Sequence, residues 1–260
     1  MEMSPAEIID RYVILKLKME SVDDYLSPRL IAKEKPLLQK EFDLYSRTVN
    51  ELKKRDVGLK DGIIKKLYRV NYKCKERESN VRRNINKISN LTTRQLEEVG
   101  KNVIEIRQLN AERIALKNSI SKKYKTPTKT LKMSLGEVID RYTIIKLKTE
   151  RTNGLTPDQI LYEKPNLERE LGLYKKAIDE YRKEGIKVNN KWITGLYKIN
   201  ARCWDIEADI RLGKDKKLGL EKIGKVAMVL RRFAQKRIDL KNEIALKSGT
   251  GFKEVKIYFK

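Results

Sequence analysis

Apolar residues recur along most of the chain at the three- and four-residue spacing of helices that bury one stripe, and the turns between them carry the expected stop and start signals. Ser4-Pro5 with Glu7, and Ser134 with Glu137, read as capping boxes that open helices running to about Glu20 and Arg151. Asp23-Asp24 and Asn153-Gly154 break them. Ser27-Pro28 and Thr156-Pro157 start the next segments, in which Pro36 and Pro165 predict a kink or a fresh start. These segments continue to about Arg55 and Glu184, where Gly58 and Gly185 stop them. Third helices follow over about Lys60 to Ile88 and Lys191 to Leu212. Fourth helices cover about Thr93 to Lys123 and Leu218 to Lys247. After Gly251 the pattern changes to period two, with Val255, Ile257 and Phe259 alternating with polar or amphipathic residues, which predicts a short extended tail.

The list of elements is read out twice because the sequence itself is. Met3–Glu20 and Met133–Glu150 are identical at 12 of 18 positions, among them Glu7/Glu137, Asp10/Asp140, Arg11/Arg141, Lys16/Lys146, Lys18/Lys148 and Glu20/Glu150. Glu34-Lys35-Pro36 then matches Glu163-Lys164-Pro165. Leu67-Tyr68, Asn71 and Cys74 match Leu196-Tyr197, Asn200 and Cys203, and Arg113, Leu116-Lys117 and Asn118 match Arg237, Leu240-Lys241 and Asn242. Two copies of a long unit indicate a fused pair, not a solenoid. The expected fold is all-α: two tandem homologous antiparallel helical bundles of three to four helices each, at 1–125 and 133–260, with a linker at 126–132.

Charge changes the picture more than any motif does. The 260 residues carry 60 Lys/Arg against 36 Asp/Glu and no His, a formal charge of +24. The excess is shared, +11 over residues 1–125 and +13 over 126–260, so no basic tail accounts for it. Such a surface implies an anionic partner. The two cysteines, at matching positions, read as inherited buried hydrophobes, with no metal-binding spacing around them. Neither a signal-peptide pattern nor an apolar run of about 18 residues appears, so the expectation is a cytoplasmic protein without a membrane partner, in a host cell if the source is viral.

On the first helix of the second copy, Glu137, Asp140, Arg141, Lys148 and Arg151 fall on one stripe between two apolar flanks, a pattern unlike an ordinary surface helix. The first copy keeps Glu7, Asp10, Arg11 and Lys18 on that stripe. In the third helix Asp205, Glu207, Asp209 and Arg211 add charge, and Trp204 an aromatic ring, beside a core face of Ile199, Cys203, Ile206 and Ile210. Arg237 and Lys241 stand one turn apart on the fourth helix, as do Arg113 and Lys117. Convergence of Arg141, Lys148, Arg211, Arg237 and Lys241 would clamp phosphate oxygens. The bland reading of the same residues is a set of ion pairs.

Gly136-Glu137-Val138-Ile139-Asp140-Arg141-Tyr142-Thr143-Ile144, followed by Lys148, Glu150 and Arg151, then Trp204-Asp205-Ile206-Glu207 with Asp209 and Arg211, then Arg237, Leu240-Lys241 and Glu243-Ile244, resembles a family of small all-helical proteins of unknown function from bacteria and large phages. The resemblance covers most of the second copy and implies fold and pocket position, not activity. The first copy departs from it at the Trp-Asp-Ile-Glu block, where Lys75-Glu76-Arg77-Glu78 stands, so the second copy is expected to bind more tightly.

Three functions fit these residues. The leading expectation is non-catalytic binding of a compact polyanion (a nucleotide, a cyclic oligonucleotide signal or a phosphorylated metabolite) in a basic pocket between helices, with no cofactor, by a phage or viral sequestering protein. The chain would be a monomeric pseudo-dimer or a homo-oligomer. The second is sequence-nonspecific binding of nucleic acid or a structural role in a virion. The third is a Mg²⁺-dependent nucleotide hydrolase, disfavoured because each acid has a cation within a turn and no histidine is present.

Overall fold

The computed structural model describes residues 1–55, 61–83, 91–123, 131–151, 156–211 and 215–255. The fold is all-α, with no strand among the described residues beyond one isolated bridge. The N-terminal half contributes α1 (Pro5–Met19), α2 (Val22–Tyr25), α3 (Pro28–Arg55), α4 (Asp61–Arg83) and α5 (Thr93–Lys123). The C-terminal half contributes α6 (Leu135–Glu150), α7 (Pro157–Lys183), α8 (Asn190–Ile206), the short α9 (Ala208–Arg211) and α10 (Asp215–Leu218), and α11 (Leu220–Ser248).

Two compact units result. One takes the described parts of Glu2–Lys132 together with Leu218–Ala227; the other takes Met133–Lys217, Met228–Glu254 and Met1. In the first, α1 packs against α3, α4 and α5, so it is enclosed and buries Ile8, Ile9, Val13, Leu15 and Leu17 around most of its circumference. In the second, α6 packs against α7 and α8 and buries Leu135, Val138, Ile139, Ile145 and Leu147. This position explains the two apolar flanks, since an enclosed helix must be apolar on several sides.

Local chemistry sets the helix ends. Ser4 and Ser134 accept the amide N–H of Glu7 and Glu137, each at 3.3 Å. Thr92 and Gln95 form a reciprocal cap at the start of α5, with Thr92 N–H on Gln95 at 2.9 Å and Gln95 N–H on Thr92 at 3.3 Å. Gly185, at φ +82°, closes α7, and Ile186 N–H returns to the Tyr181 carbonyl at 3.1 Å. Two expectations change. α3 and α7 continue through Pro36 and Pro165 without a fresh start, because both prolines are exposed and the Ala32 and Leu161 carbonyls that they leave unpaired lie on exposed residues. The third helix of the C-terminal half is interrupted at Glu207 instead of running to Leu212.

Gly58, the expected third-helix end at Ile88, residues 126–130 of the linker, the Asn153-Gly154 break, and Ile257 and Phe259 of the tail lie outside the described residues. At the end of the linker Glu2 and Lys132 form an antiparallel bridge, with Met3 N–H on the Leu131 carbonyl at 2.9 Å. The tail is non-helical from 252 to 255, and Val255 is buried.

Within the first unit the start of α11 crosses α5 backbone to backbone. A Cβ on Gly100 would lie 2.1 Å from the Leu220 carbonyl oxygen, and one on Gly224 would lie 2.1 Å from that of Leu96. Gly100 meets Leu220 and Gly224 meets Leu96, so the contact is reciprocal. Since a carbonyl cannot rotate aside, Gly100→Ala or Gly224→Ala is expected to lower stability by about 3 kcal/mol. Gly172→Ala, which meets nothing within 4 Å on α7, should raise it by about 0.5–1 kcal/mol. Urea midpoints of the three variants check this, and equal effects would remove the crossing as a constraint.

Candidate functional site

α1 and α6 each turn an aspartate into their bundle. Asp10 is 4% exposed and Asp140 1%. A bare buried carboxylate is prohibitive, so each must be answered by donors. Arg113 of α5 grips Asp10 with two parallel bonds, Nε at 2.8 Å and Nη2 at 2.5 Å, and Asn71 Nδ2 adds a third at 3.2 Å. Arg237 of α11 grips Asp140 in the same fork, at 2.7 and 2.5 Å, and Asn200 Nδ2 donates at 3.0 Å. One turn along, Lys117 meets Glu7 at 2.6 Å and Asp10 at 3.8 Å, while Lys241 meets Glu137 at 2.5 Å and Glu254 at 3.4 Å. Burial works first against charge on Arg113, Arg237 and Lys241, but the adjacent carboxylates outweigh it and hold all three above their ordinary pKa.

Four of the cations expected to clamp a ligand are thus spent on internal carboxylates. Arg11 is also engaged, with Nε at 3.1 Å and Nη2 at 3.0 Å from Glu41, itself buried. Arg141 is half-buried and engaged. Arg151 pairs with the exposed Asp205, Lys148 is exposed, and Lys18 and Trp204 are half-buried. The side chain of Arg211, on α9, lies outside the described residues. The structure therefore joins Asp140, Arg237, Glu137 and Lys241 in one cluster and Asp10, Arg113, Glu7 and Lys117 in another.

A second repeated set was not singled out as a site by the sequence reading. Tyr68 donates its hydroxyl to Glu20 at 2.6 Å, with Lys16 Nζ 5.5 Å from the ring centroid; Tyr197 donates to Glu150 at 2.6 Å, with Lys146 Nζ 5.2 Å from its ring. Burial and the Glu20 carboxylate push the Tyr68 phenol up to about 12. Its signal was present, since Lys16, Glu20 and Tyr68 are identical between the copies.

In the N-terminal half this set borders a groove of about 390 Å³ lined by Tyr12 and Lys16 of α1, Lys53 of α3, and Lys65, Tyr68 and Arg69 of α4. Two carboxylates also line it: Glu20, 4.0 Å from Lys16, and Asp61, 2.7 Å from Lys53. Lys65 and Arg69 are exposed and make no ion pair among the described residues. The volume lies at the small end of small-molecule sites.

Burial raises the Cys74 thiol to about 11 and that of Cys203 in the same direction, so neither is an activated nucleophile at neutral pH. No group of three His, Cys, Asp or Glu side chains placed to hold a metal occurs among the described residues. No helix there is long and apolar enough to cross a membrane. Neither a family model, nor a curated protein, nor a solved structure matches the chain.

Two predictions follow from these geometries. Arg237→Met leaves Asp140 buried without its fork and should cost about 3 kcal/mol or more, whereas Arg151→Ala removes an exposed pair and should cost about 0.5 kcal/mol. Denaturant unfolding separates the two cases, and equal losses would deny the Asp140 pair its structural weight.

Lys75, at the position matching Trp204, donates to the Leu17 carbonyl at 2.9 Å and to the Ser21 hydroxyl. Burial lowers its ammonium to about 8, against the opposing pull of Glu20 and Asp24. The unfolded chain then holds this proton to higher pH than the folded one, so Lys75 makes stability rise as pH climbs from about 8 towards the ordinary lysine range. The gain in urea midpoint from pH 7.5 to 9.5 should be larger for the parent chain than for Lys75→Met. An equal change in both would place the Lys75 amine in water.

Proposed function

We propose that this chain is a non-catalytic binding protein for a compact polyanion, held in the groove between α1, α3 and α4 and acting by sequestration, not turnover. The observation that carries the reading is the imbalance in that groove: four cations line it against two carboxylates, and neither Arg69 nor Lys65, which acts on Asp61 only through space, makes an ion pair among the described residues. Cations without internal partners are the ones an incoming phosphate can use. Arg113 and Arg237, by contrast, would have to abandon buried aspartates to do so. The reading moves the site from the second copy, where the Trp204 to Arg211 block suggested it, to the first. At the matching positions the C-terminal half has Thr194 in place of Lys65 and Lys198 in place of Arg69, and its Arg182 pairs with Asp179 at 2.6 Å.

The charge of +24, shared by both halves, also favours a backbone-binding role on nucleic acid. One experiment divides the readings. The full chain is incubated with tripolyphosphate, a short DNA duplex and Mg²⁺, then ultrafiltered, and retained and released species are weighed by mass spectrometry. Retention of intact tripolyphosphate in the presence of duplex is the expected result. Retention of the duplex alone would replace the groove with a charged surface, and new products would move the protein among the hydrolases.

A further inference from the structure

The groove has a second character that a phosphate alone does not use. Tyr12 and Tyr68 both line it, and each ring stacks on an aromatic residue that does not: Tyr12 on Phe42 with centroids 5.6 Å apart, and Tyr68 on Tyr72 at 6.4 Å, both at 18° between planes. The hydroxyl bond to Glu20 fixes the plane of Tyr68 as well. Aromatic walls pinned in this way lose little freedom when a flat ligand settles on them.

The two carboxylates narrow the choice further. Glu20 is held by Tyr68 and Lys16, and Asp61 by Lys53. Fixed carboxylates repel a bare polyphosphate, but they accept hydrogen bonds from hydroxyls and ring or exocyclic amines. Lys65 and Arg69 stand one turn apart on the same face of α4, a spacing that lets both reach one phosphate chain. The ligand that satisfies every wall carries a flat ring, N–H or O–H donors, and phosphates.

Resting on the polyanion reading above, we infer that the groove takes a single nucleoside polyphosphate, its base against Tyr12 and Tyr68, its donors on Glu20 and Asp61, and its phosphates on Lys65 and Arg69. The volume of about 390 Å³ suits one such molecule.

Isothermal titration of the full chain with ATP, tripolyphosphate and adenosine tests this. ATP should bind at least fivefold more tightly than tripolyphosphate, the share that stacking of one base contributes, and adenosine should bind more weakly than ATP. The double variant Lys65→Ala/Arg69→Ala, at two exposed positions, should lose at least tenfold in ATP affinity, while Lys198→Ala in the other half leaves it unchanged. Equal affinity for ATP and tripolyphosphate would overturn the nucleoside assignment and leave the polyanion reading standing. If neither binds, both fail. Full ATP affinity in the double variant would remove this groove as the site.

Discussion

An aspartate with almost no access to water cannot stay charged unless something answers it, and in this protein the answer comes from the last long helix of the same half. Asp10 is gripped by Arg113 and Asp140 by Arg237, each through a two-bond fork with an asparagine as third donor. These forks join the first helix of each half to the last. Removing one partner strands a buried charge, which is far more damaging than losing a surface pair. The packing of α1 and α6 thus depends on α5 and α11 arriving with the right residue at the right turn.

That constraint sorts the cations. Those needed to neutralise the interior, Arg113, Lys117, Arg237, Lys241 and Arg11, are already bonded to carboxylates. Among the described residues Lys65 and Arg69 are exposed, make no ion pair and line one concave surface. The groove beside Tyr68 brings fixed aromatic rings, fixed carboxylates and unneutralised cations within one small volume. A net charge of +24 says that such a surplus exists; burial and pairing say where it is available.

Much of the fold was legible because it rests on local signals. Serine caps, the Gly185 stop and the helical period place the long elements, and an all-α fold follows from them. Proline misled where exposure made its missing hydrogen bond harmless, as at Pro36 and Pro165. The charged stripe of the first helix was visible, and so was its oddity between two apolar flanks. Its partners were not, because whether a cation one helix away faces a carboxylate or open water depends on tertiary packing that no spacing encodes. For the same reason the pairing of Arg237 with Asp140 and of Lys241 with Glu137 could not be read from spacing. Tyr68, Lys16 and Glu20 had been noticed only as identities between the copies, since their meeting requires α1 and α4 to pack side by side. Gly100 and Gly224 likewise carry a backbone crossing that their sequence context does not announce.

The division of cations into interior and available ones is tested most directly by nuclear magnetic resonance on the chain labelled with ¹⁵N-arginine, following the side-chain Nε–H signals as tripolyphosphate is added. The predicted result is a shift of the Arg69 signal while those of Arg113 and Arg237 stay in place, as expected for guanidinium groups locked on Asp10 and Asp140. Movement of the Arg113 or Arg237 signals with Arg69 unchanged would contradict it, and would return the ligand to the buried clusters.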